Sequence, residues 1–192
     1  MLKKALIWGA AWAGGAVTFY FNREIGVLTV PAIIFTLSFV TERENVWVWI
    51  PAFILSWLWV FLARDSYSGY NSFTYSIFGV SVFPIVAWPS MLAGMHFLVF
   101  VRIKGKNRWY NFLKYFGCFS FFLILAEYIG YNIAGVKLSS GTAYPGWPVL
   151  NIFHCPWWMQ VGYFLNGFVF SAIIAYFSDR KDSWNYVRQR VH

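Results

Sequence analysis

Charged residues are scarce in this chain of 192 residues. Only 11% are Asp, Glu, Lys or Arg, whereas 59% are hydrophobic and 23% are aromatic. A soluble domain carries about 25% charged residues, so this chain lacks the polar surface that would cover a globule in water. The composition therefore excludes an ordinary water-soluble domain and predicts an integral membrane protein.

Cysteine and histidine are also rare, with two and three residues. Cys118 and Cys155 have neither CxxC nor zinc-site spacing, and the sequence assigns no disulfide between them. His96 is expected at the inner end of its helix, far from the outer acids, which opposes a metal site shared with His154. We expect no metal and no cofactor.

Long apolar runs dominate what is present. A window of about 20 residues, the length that crosses a bilayer as a helix, finds six of them. They cover approximately Ala5–Phe21, Val27–Val40, Val46–Ala63, Ile77–Val101, Tyr110–Tyr128 and Trp157–Phe177. Lys3 and Lys4 before the first run also fit a signal peptide, but its hydrophobicity continues to Phe21 and favours a span. The expected fold is an all-α polytopic membrane protein with six transmembrane helices in one domain, residues 1–192.

The basic residues are divided unequally between the two sides of these helices. With a cytoplasmic N-terminus, three lie outside, Arg23, Arg64 and Lys137, and twelve lie inside. The twelve are Lys3, Lys4, Arg43, Arg102, Lys104, Lys106, Arg108, Lys114, Arg180, Lys181, Arg188 and Arg190. The positive-inside rule then predicts a multi-pass protein of the cell membrane with both termini cytoplasmic. This placement of the charges also opposes a nucleic-acid partner.

The connections differ in length and charge. Outer loops are expected at about 64–76 and 129–156, a basic cytoplasmic loop at about 102–109, and a cytoplasmic tail at 178–192. The basic loop is interpreted as a determinant of topology, and contact with anionic lipids is its functional alternative.

Each outer connection begins with an acid and ends at a helix start that contains glycine or proline. The acids are Glu24, Asp65 and Glu127. Internal repeats are common in membrane proteins built around a central site, so three repeated helical hairpins are one interpretation. The other interpretation is that glycine and proline simply mark helix starts, as they commonly do in proteins.

Glu127 is the acid set deepest in an apolar run, and an ionisable residue inside a membrane is a functional-site hypothesis by default. Desolvation favours the protonated form of such an acid, which suits a general acid. The alternative is a structural acid that ties helices together. Nearby aromatic, amide and imidazole side chains are candidates for binding a substrate: Tyr131, Asn132, Tyr144, Trp147, Asn151, His154 and Trp157.

Three segments carry a resemblance to a known group of small membrane enzymes. Phe78–Met91 reads FGVSVFPIVAWPSM, Ala126–Gly130 reads AEYIG and precedes Ala134-Gly135, and Tyr144–Asn151 reads YPGWPVLN. They resemble the carotenoid hydratase and lycopene-cyclase-domain group, with Ser81 where that group has proline. The resemblance implies acid-initiated chemistry on a long polyene without a redox cofactor, and it adds Trp88 to the candidate binding residues.

Three functions remain open. The first is an isoprenoid- or carotenoid-modifying lyase or isomerase, with Glu127 as proton donor and Asp65 as second acid or cation stabiliser. The second is the substrate-binding subunit of a vitamin-type importer, whose outer aromatics would stack on a small ring-containing ligand. The third is a structural subunit of a larger membrane complex. The expected partners are membrane lipids, the hydrophobic substrate or ring ligand, and a second membrane protein or further copies of this chain.

Overall fold

The computed structural model describes residues 2–67, 69–70, 74–103, 105, 107–138 and 144–190, and these are predominantly helical. Five helical stretches are long and apolar enough to cross a membrane. They are Arg23–Thr41, Arg43–Leu62, Val82–Phe100, Arg108–Ile133 and Trp157–Ser178. The prediction of a mostly helical chain with helices able to cross a membrane is therefore confirmed, for five helices. The first predicted segment is helical too, but its apolar part, Leu6–Phe21, is shorter than the other five.

The chain begins with a tight helical hairpin. Helix α1, Leu2–Phe21, and helix α2, Arg23–Thr41, are separated only by Asn22, whose Oδ1 accepts the backbone N–H of Ile25 at 3.1 Å. This N-cap satisfies one of the free donors at the start of α2. The helix therefore starts four residues before the predicted Val27.

A 3₁₀ turn, Arg43–Val48, leads directly into helix α3, Trp49–Leu62. The chain then enters a connection that contains a 3₁₀ turn at Arg64–Ser66 and a two-residue hairpin, β1 at Ser76–Ile77 paired with β2 at Val80–Ser81.

The turn of this hairpin corrects the predicted start of the fourth helix at Ile77. Phe78 and Gly79 have φ values of 52° and 77°, as the two central residues of a tight hairpin turn require. Helix α4 therefore starts later, at Val82, and runs to Met95. A π-helical turn, His96–Phe100, and the short helix α5, Val101–Ile103, complete this element.

The last two long helices exceed their predicted ends. Helix α6 spans Arg108–Tyr128 and continues as a π-helical turn, Ile129–Ile133, so the predicted outer loop begins partly helical. Helix α7 spans Trp157–Arg190, well past the predicted end at Phe177. The predicted tail at 178–192 is therefore helical as far as Arg190, and its last two residues lie outside the described part of the chain.

Helices that follow one another along the chain pack in pairs, α1 with α2, α3 with α4, and α6 with α7. Glycines allow the closest approaches. A Cβ on Gly26 would collide with the Phe19 backbone, one on Gly162 with the ring of Trp59, and one on Gly167 with the ring of Phe119. Contacts of α2 with α4 and of α3 with α7 join the pairs into one bundle.

Three inter-helix connections meet at one end of the bundle, which we call the loop end. The Oγ1–H of Thr74 donates to Glu24 Oε1 at 2.6 Å, and Tyr70 forms an isolated antiparallel bridge with Leu138. These contacts link the α1–α2, α3–α4 and α6–α7 connections.

The opposite end, called the basic end, joins other parts of the same helices. The indole N–H of Trp8 donates to Thr41 Oγ1 at 3.0 Å, and Trp8 stacks on Phe97 with ring centroids 5.8 Å apart. Trp47 contacts Phe177 in an edge-to-face arrangement, with centroids 6.0 Å apart. The two ends therefore have different packing, with loops at one and aromatic helix ends at the other.

Candidate acid site at the loop end

Glu127 lies in the last turn of α6, where the α-helix changes into the π-helical turn. Its side chain is half-buried, and the backbone N–H of Phe153 donates a hydrogen bond to its carboxylate. Among the described residues, no lysine or arginine forms an ion pair with this carboxylate. The acid is therefore held by a neutral donor, which leaves its charge uncompensated.

Phe153 presents this donor from an unusual backbone conformation. Its φ is 57°, although its side chain is fully buried with 0% exposure. A bulky residue is rarely left-handed, and such strain persists only where surrounding contacts enforce it. The Phe153 carbonyl accepts the N–H of Cys155 at 2.8 Å and the side-chain amide of Gln160 at 3.2 Å. The carbonyl of Phe153 is thus fixed by Cys155 and by Gln160 of α7, while its N–H points to Glu127.

A buried hydroxyl lies within electrostatic reach of this acid. Tyr67, in the α3–α4 connection, is 1% exposed. Its oxygen accepts the indole N–H of Trp59 at 3.1 Å and that of Trp88 at 3.2 Å. It also shares a hydrogen bond with the hydroxyl of Tyr163. Since a hydroxyl oxygen has two lone pairs, the two indoles already fill its acceptor capacity.

The hydrogen-bonded chain continues to Cys155, whose thiol interacts with Tyr163. Tyr67, Tyr70, Tyr163 and Cys155 all lie within electrostatic reach of the Glu127 carboxyl. We call these four residues the tyrosine cluster. It brings together side chains from the α3–α4 connection, from α7 and from the segment that precedes α7.

Burial governs ionisation in the parts of the cluster that lie outside the helices. It raises the pKa of the Cys155 thiol from 9.0 to about 12, and the charge of Glu127 adds to this effect. Burial also raises the pKa of Tyr67 and of Tyr70 well above the ordinary value of 10.0. These groups therefore stay protonated near neutral pH.

The predicted binding residues Tyr131 and His154 lie in this region and contact each other. Their rings stack with centroids 3.9 Å apart and an interplanar angle of 8°. His154 Nδ1 lies 3.1 Å from the carbonyl oxygen of Tyr144, and the ammonium of Lys137 lies 5.0 Å from the Tyr131 ring centroid. Two predicted residues thus stack on each other beside the backbone of a third, Tyr144, and form one layer over the end of α6.

The predicted amide residues hold the same layer in place. The Asn132 side-chain amide donates to the carbonyl oxygens of Leu150 and Asn151, both at 3.3 Å, and the Asn151 amide donates back to Asn132 Oδ1 at 3.2 Å. The Trp147 indole N–H donates to Gln160 Oε1 at 2.9 Å. These contacts attach the loop segment to the π-helical turn and to α7.

Two predicted site residues lie apart from this arrangement. The Asp65 side chain is 99% exposed and its Oδ1 lies 3.6 Å from Nε of Arg64, which is the interfacial ion pair expected of a helix end. Trp157 is 75% exposed at the start of α7. Trp88, in contrast, is 8% exposed and belongs to the hydrogen-bond network of Tyr67.

Sequence reasoning missed Tyr67, Tyr163, Trp59 and Phe153. Tyr67 lies in a polar loop, and Tyr163 looks like any aromatic residue of a membrane helix. The one sequence signal was Gly162, because a glycine inside a strongly apolar helix often marks a close approach of another element. Within the described residues, no group of three or more His, Cys, Asp and Glu could hold a metal.

Comparison of the chain with protein-family models, with curated proteins and with solved structures finds no match. A functional interpretation of the acid site therefore depends on its own residues.

Proposed function

We propose that the chain is an integral-membrane enzyme of isoprenoid or carotenoid metabolism, in which Glu127 protonates a polyene to start its hydration or cyclisation. The observation that carries the proposal is the environment of Glu127. A backbone N–H holds this carboxyl within electrostatic reach of the buried hydroxyls of Tyr67 and Tyr163, without a cationic partner among the described residues.

In the proposed reaction, the π electrons of a terminal double bond take the Glu127 proton, which leaves a carbocation on the substrate and a carboxylate on the enzyme. Either water adds to the cation or a neighbouring double bond attacks it, and a proton then returns to the carboxylate. The Phe153 N–H stabilises the carboxylate that forms, because hydrogen bonds to charged acceptors are stronger than those to neutral ones.

Aromatic rings near the acid suit the cationic intermediate. The Tyr163 ring lies 5.0 Å from that of Trp88 and 6.0 Å from those of Trp59 and Phe153, centroid to centroid. The π faces of such rings attract cations. The indoles of Trp59 and Trp88 are fixed by their hydrogen bonds to Tyr67, so these two rings are already in place before a substrate binds.

The resemblance to the carotenoid hydratase and lycopene-cyclase-domain group points to the same chemistry. Its AEYIG segment contains Glu127, and its YPGWPVLN segment supplies Trp147 and Asn151, which attach the loop to its neighbours. In the importer alternative, the loop aromatics would need faces open to a ring ligand. Tyr131 and His154 instead use those faces to stack on each other.

The proposal includes a topology. The chain crosses the cell membrane six times, with the apolar part of α1, Leu6–Phe21, as the shortest span, and both termini are cytoplasmic. The three consecutive helix pairs then correspond to three repeated hairpins. In support, residues predicted to lie outside contact each other at the loop end, where Glu24 binds Thr74 and Tyr70 pairs with Leu138. This orientation places Glu127 in the outer leaflet.

The test is Glu127→Gln in cells that make an acyclic polyene, with products followed by chromatography and mass spectrometry. We expect the wild-type chain to produce a hydrated or cyclised polyene, and the variant to lose at least about 100-fold in rate, as is typical for loss of a general acid. Glu24→Gln, an acid at the same end that binds Thr74, is the matched control and should remain active. Unchanged product from Glu127→Gln, or no product from the wild type, would refute the proposal. Asp65→Asn separately tests a second acid.

A further inference from the structure

The basic end carries the whole excess charge of the protein in the proposed topology. The basic end has twelve Lys and Arg residues and four acids, whereas the loop end has three basic residues and three acids. Five of the twelve fall between Arg102 and Lys114, inside a stretch of 61 residues, 66–126, that contains no Asp or Glu. Lys104 and Lys106 of this group lie outside the described residues. The acids nearest in topology are Glu42 and Glu44, in the connection that follows α2.

The side chain of Lys114 bends so that its ammonium lies toward the start of α6. It lies in the second turn of the helix, and its Nζ sits 4.1 Å from the ring centroid of Tyr110, one turn nearer the N-terminus. Long basic side chains on membrane helices bend in this way so that the apolar stem lies along the helix and the ammonium reaches the interface. Lys114 therefore directs its charge toward the start of α6, where the Arg108 guanidinium lies 6.0 Å from the ring centroid of Tyr176 in α7.

Exposed aromatic and aliphatic side chains surround these two cations. Trp109 is 70% exposed, Tyr110 is 53% exposed and Leu113 is 62% exposed. Tryptophan and tyrosine favour the boundary between headgroups and acyl chains. The start of α6 thus combines positive charge with an apolar surface for lipid chains, whereas a site for a free anion needs only the charge.

The connection before α6 is a turn held by side-chain hydrogen bonds. Asn111 is 4% exposed and its side chain pairs with both backbone groups of Gly105, accepting the N–H at 2.6 Å and donating to the carbonyl at 2.9 Å. Asn107 caps the helix by accepting the N–H groups of Trp109 and Tyr110. Arg102 donates to the Phe97 carbonyl at 2.6 Å. The Arg102 guanidinium is therefore already bound to a backbone carbonyl at the end of its helix. The hydrogen bonds of the turn fix the backbone that leads to Arg108.

We propose that Arg108 and Lys114, with Trp109 and Tyr110, form a binding site for the headgroup phosphate of an anionic phospholipid. The two cations bind the phosphate oxygens, the aromatic rings lie at the level of the glycerol backbone, and Leu113 contacts the acyl chains. This site is at the opposite end of the bundle from Glu127, and its existence does not depend on the proposed enzymatic function.

The test measures lipid binding to the purified full-length protein by native mass spectrometry. Phosphatidylglycerol, phosphatidylcholine with the same acyl chains, and soluble glycerol phosphate are titrated separately. We expect phosphatidylglycerol to bind more tightly than phosphatidylcholine. The double variant Arg108→Gln/Lys114→Gln should lose roughly 30-fold in affinity for it, because each juxtamembrane cation contributes about a fivefold factor.

Two further double variants separate a site from a general effect of charge. Arg64→Gln/Lys137→Gln removes the same charge from the loop end and should leave the preference for phosphatidylglycerol intact. Arg108→Lys/Lys114→Arg keeps both charges and should retain binding, which separates lost charge from lost folding. Equal losses in the two glutamine variants, no preference for phosphatidylglycerol, or equally tight binding of glycerol phosphate would each overturn the proposal.

Discussion

Replacing Tyr67 with phenylalanine removes one oxygen atom from the centre of the tyrosine cluster and leaves the ring in place. That oxygen accepts two indole N–H groups, from Trp59 at 3.1 Å and from Trp88 at 3.2 Å. It also shares a hydrogen bond with Tyr163. The substitution therefore leaves two donors without their acceptor and adds no new group that could replace it.

The cost follows from how far each indole is buried. Trp88 is 8% exposed, so water cannot take the place of the lost oxygen, and a buried donor without a partner costs about 1–3 kcal/mol. Trp59 is half-buried, and we expect about half of that cost for its N–H. Together they predict a loss of about 2–4 kcal/mol in the free energy of unfolding.

The assay is reversible unfolding in mixed micelles, in which sodium dodecyl sulfate is added to protein in a mild detergent and helix content is followed by circular dichroism. Ultraviolet resonance Raman spectra of the indoles give a second readout, because the Trp59 and Trp88 bands should shift to those of weaker hydrogen bonding. Tyr75→Phe is the matched control, since Tyr75 is in the same connection but is 66% exposed. A loss for Tyr67→Phe no larger than that for Tyr75→Phe would refute the reasoning.

Two further predictions concern neighbours of this cluster. Gly162→Ala should destabilise the bundle by about 1–3 kcal/mol because its Cβ would collide with Trp59. The control Gly117→Ala, with open space around it, should be neutral or stabilise by up to about 1 kcal/mol. Equal responses of the two variants in the micelle assay would contradict this prediction. In Cys118→Ser protein, a Cys155 pKa of about 12 in place of 9.0 predicts folded-state alkylation at pH 8 about 1,000-fold slower than in the unfolded chain, because only the thiolate reacts. The folded rate should still rise tenfold per pH unit above pH 9, and a plateau near pH 9 would show an ordinary thiol.

The helical membrane fold could be predicted because it depends on hydrophobicity summed over about 20 residues, which one or two irregular residues do not change. Element ends depend on single contacts and were less predictable. The fourth helix was predicted to start at Ile77, but the left-handed pair Phe78-Gly79 forms a hairpin turn there. Apolar residues at 129–133 were assigned to a loop, although they form a π-helical turn.

The candidate site was predictable only where one residue is exceptional by itself. Glu127 stands out because an acid inside an apolar run is rare. Tyr67 has no such signal, because its role arises from Trp59, Trp88 and Tyr163, which are 8, 21 and 96 positions away in the sequence. The left-handed φ of Phe153 is equally invisible, since phenylalanine disfavours that conformation and only tertiary contacts enforce it.

The three acids of the loop end differ in what holds them, and this difference separates Glu127 from the other two. Asp65 lies beside the cation of Arg64, and Glu24 accepts a hydroxyl hydrogen bond from Thr74 in an exposed loop. A neighbouring cation favours the carboxylate permanently and opposes its use as a proton donor. A backbone N–H, as supplied to Glu127 by Phe153, cannot be titrated and adds no net charge. In the proposed reaction, this N–H stabilises the carboxylate after the proton has left and permits the proton to return. The strained backbone at Phe153, and not a charged partner, is then the feature that suits Glu127 to the proposed proton transfer.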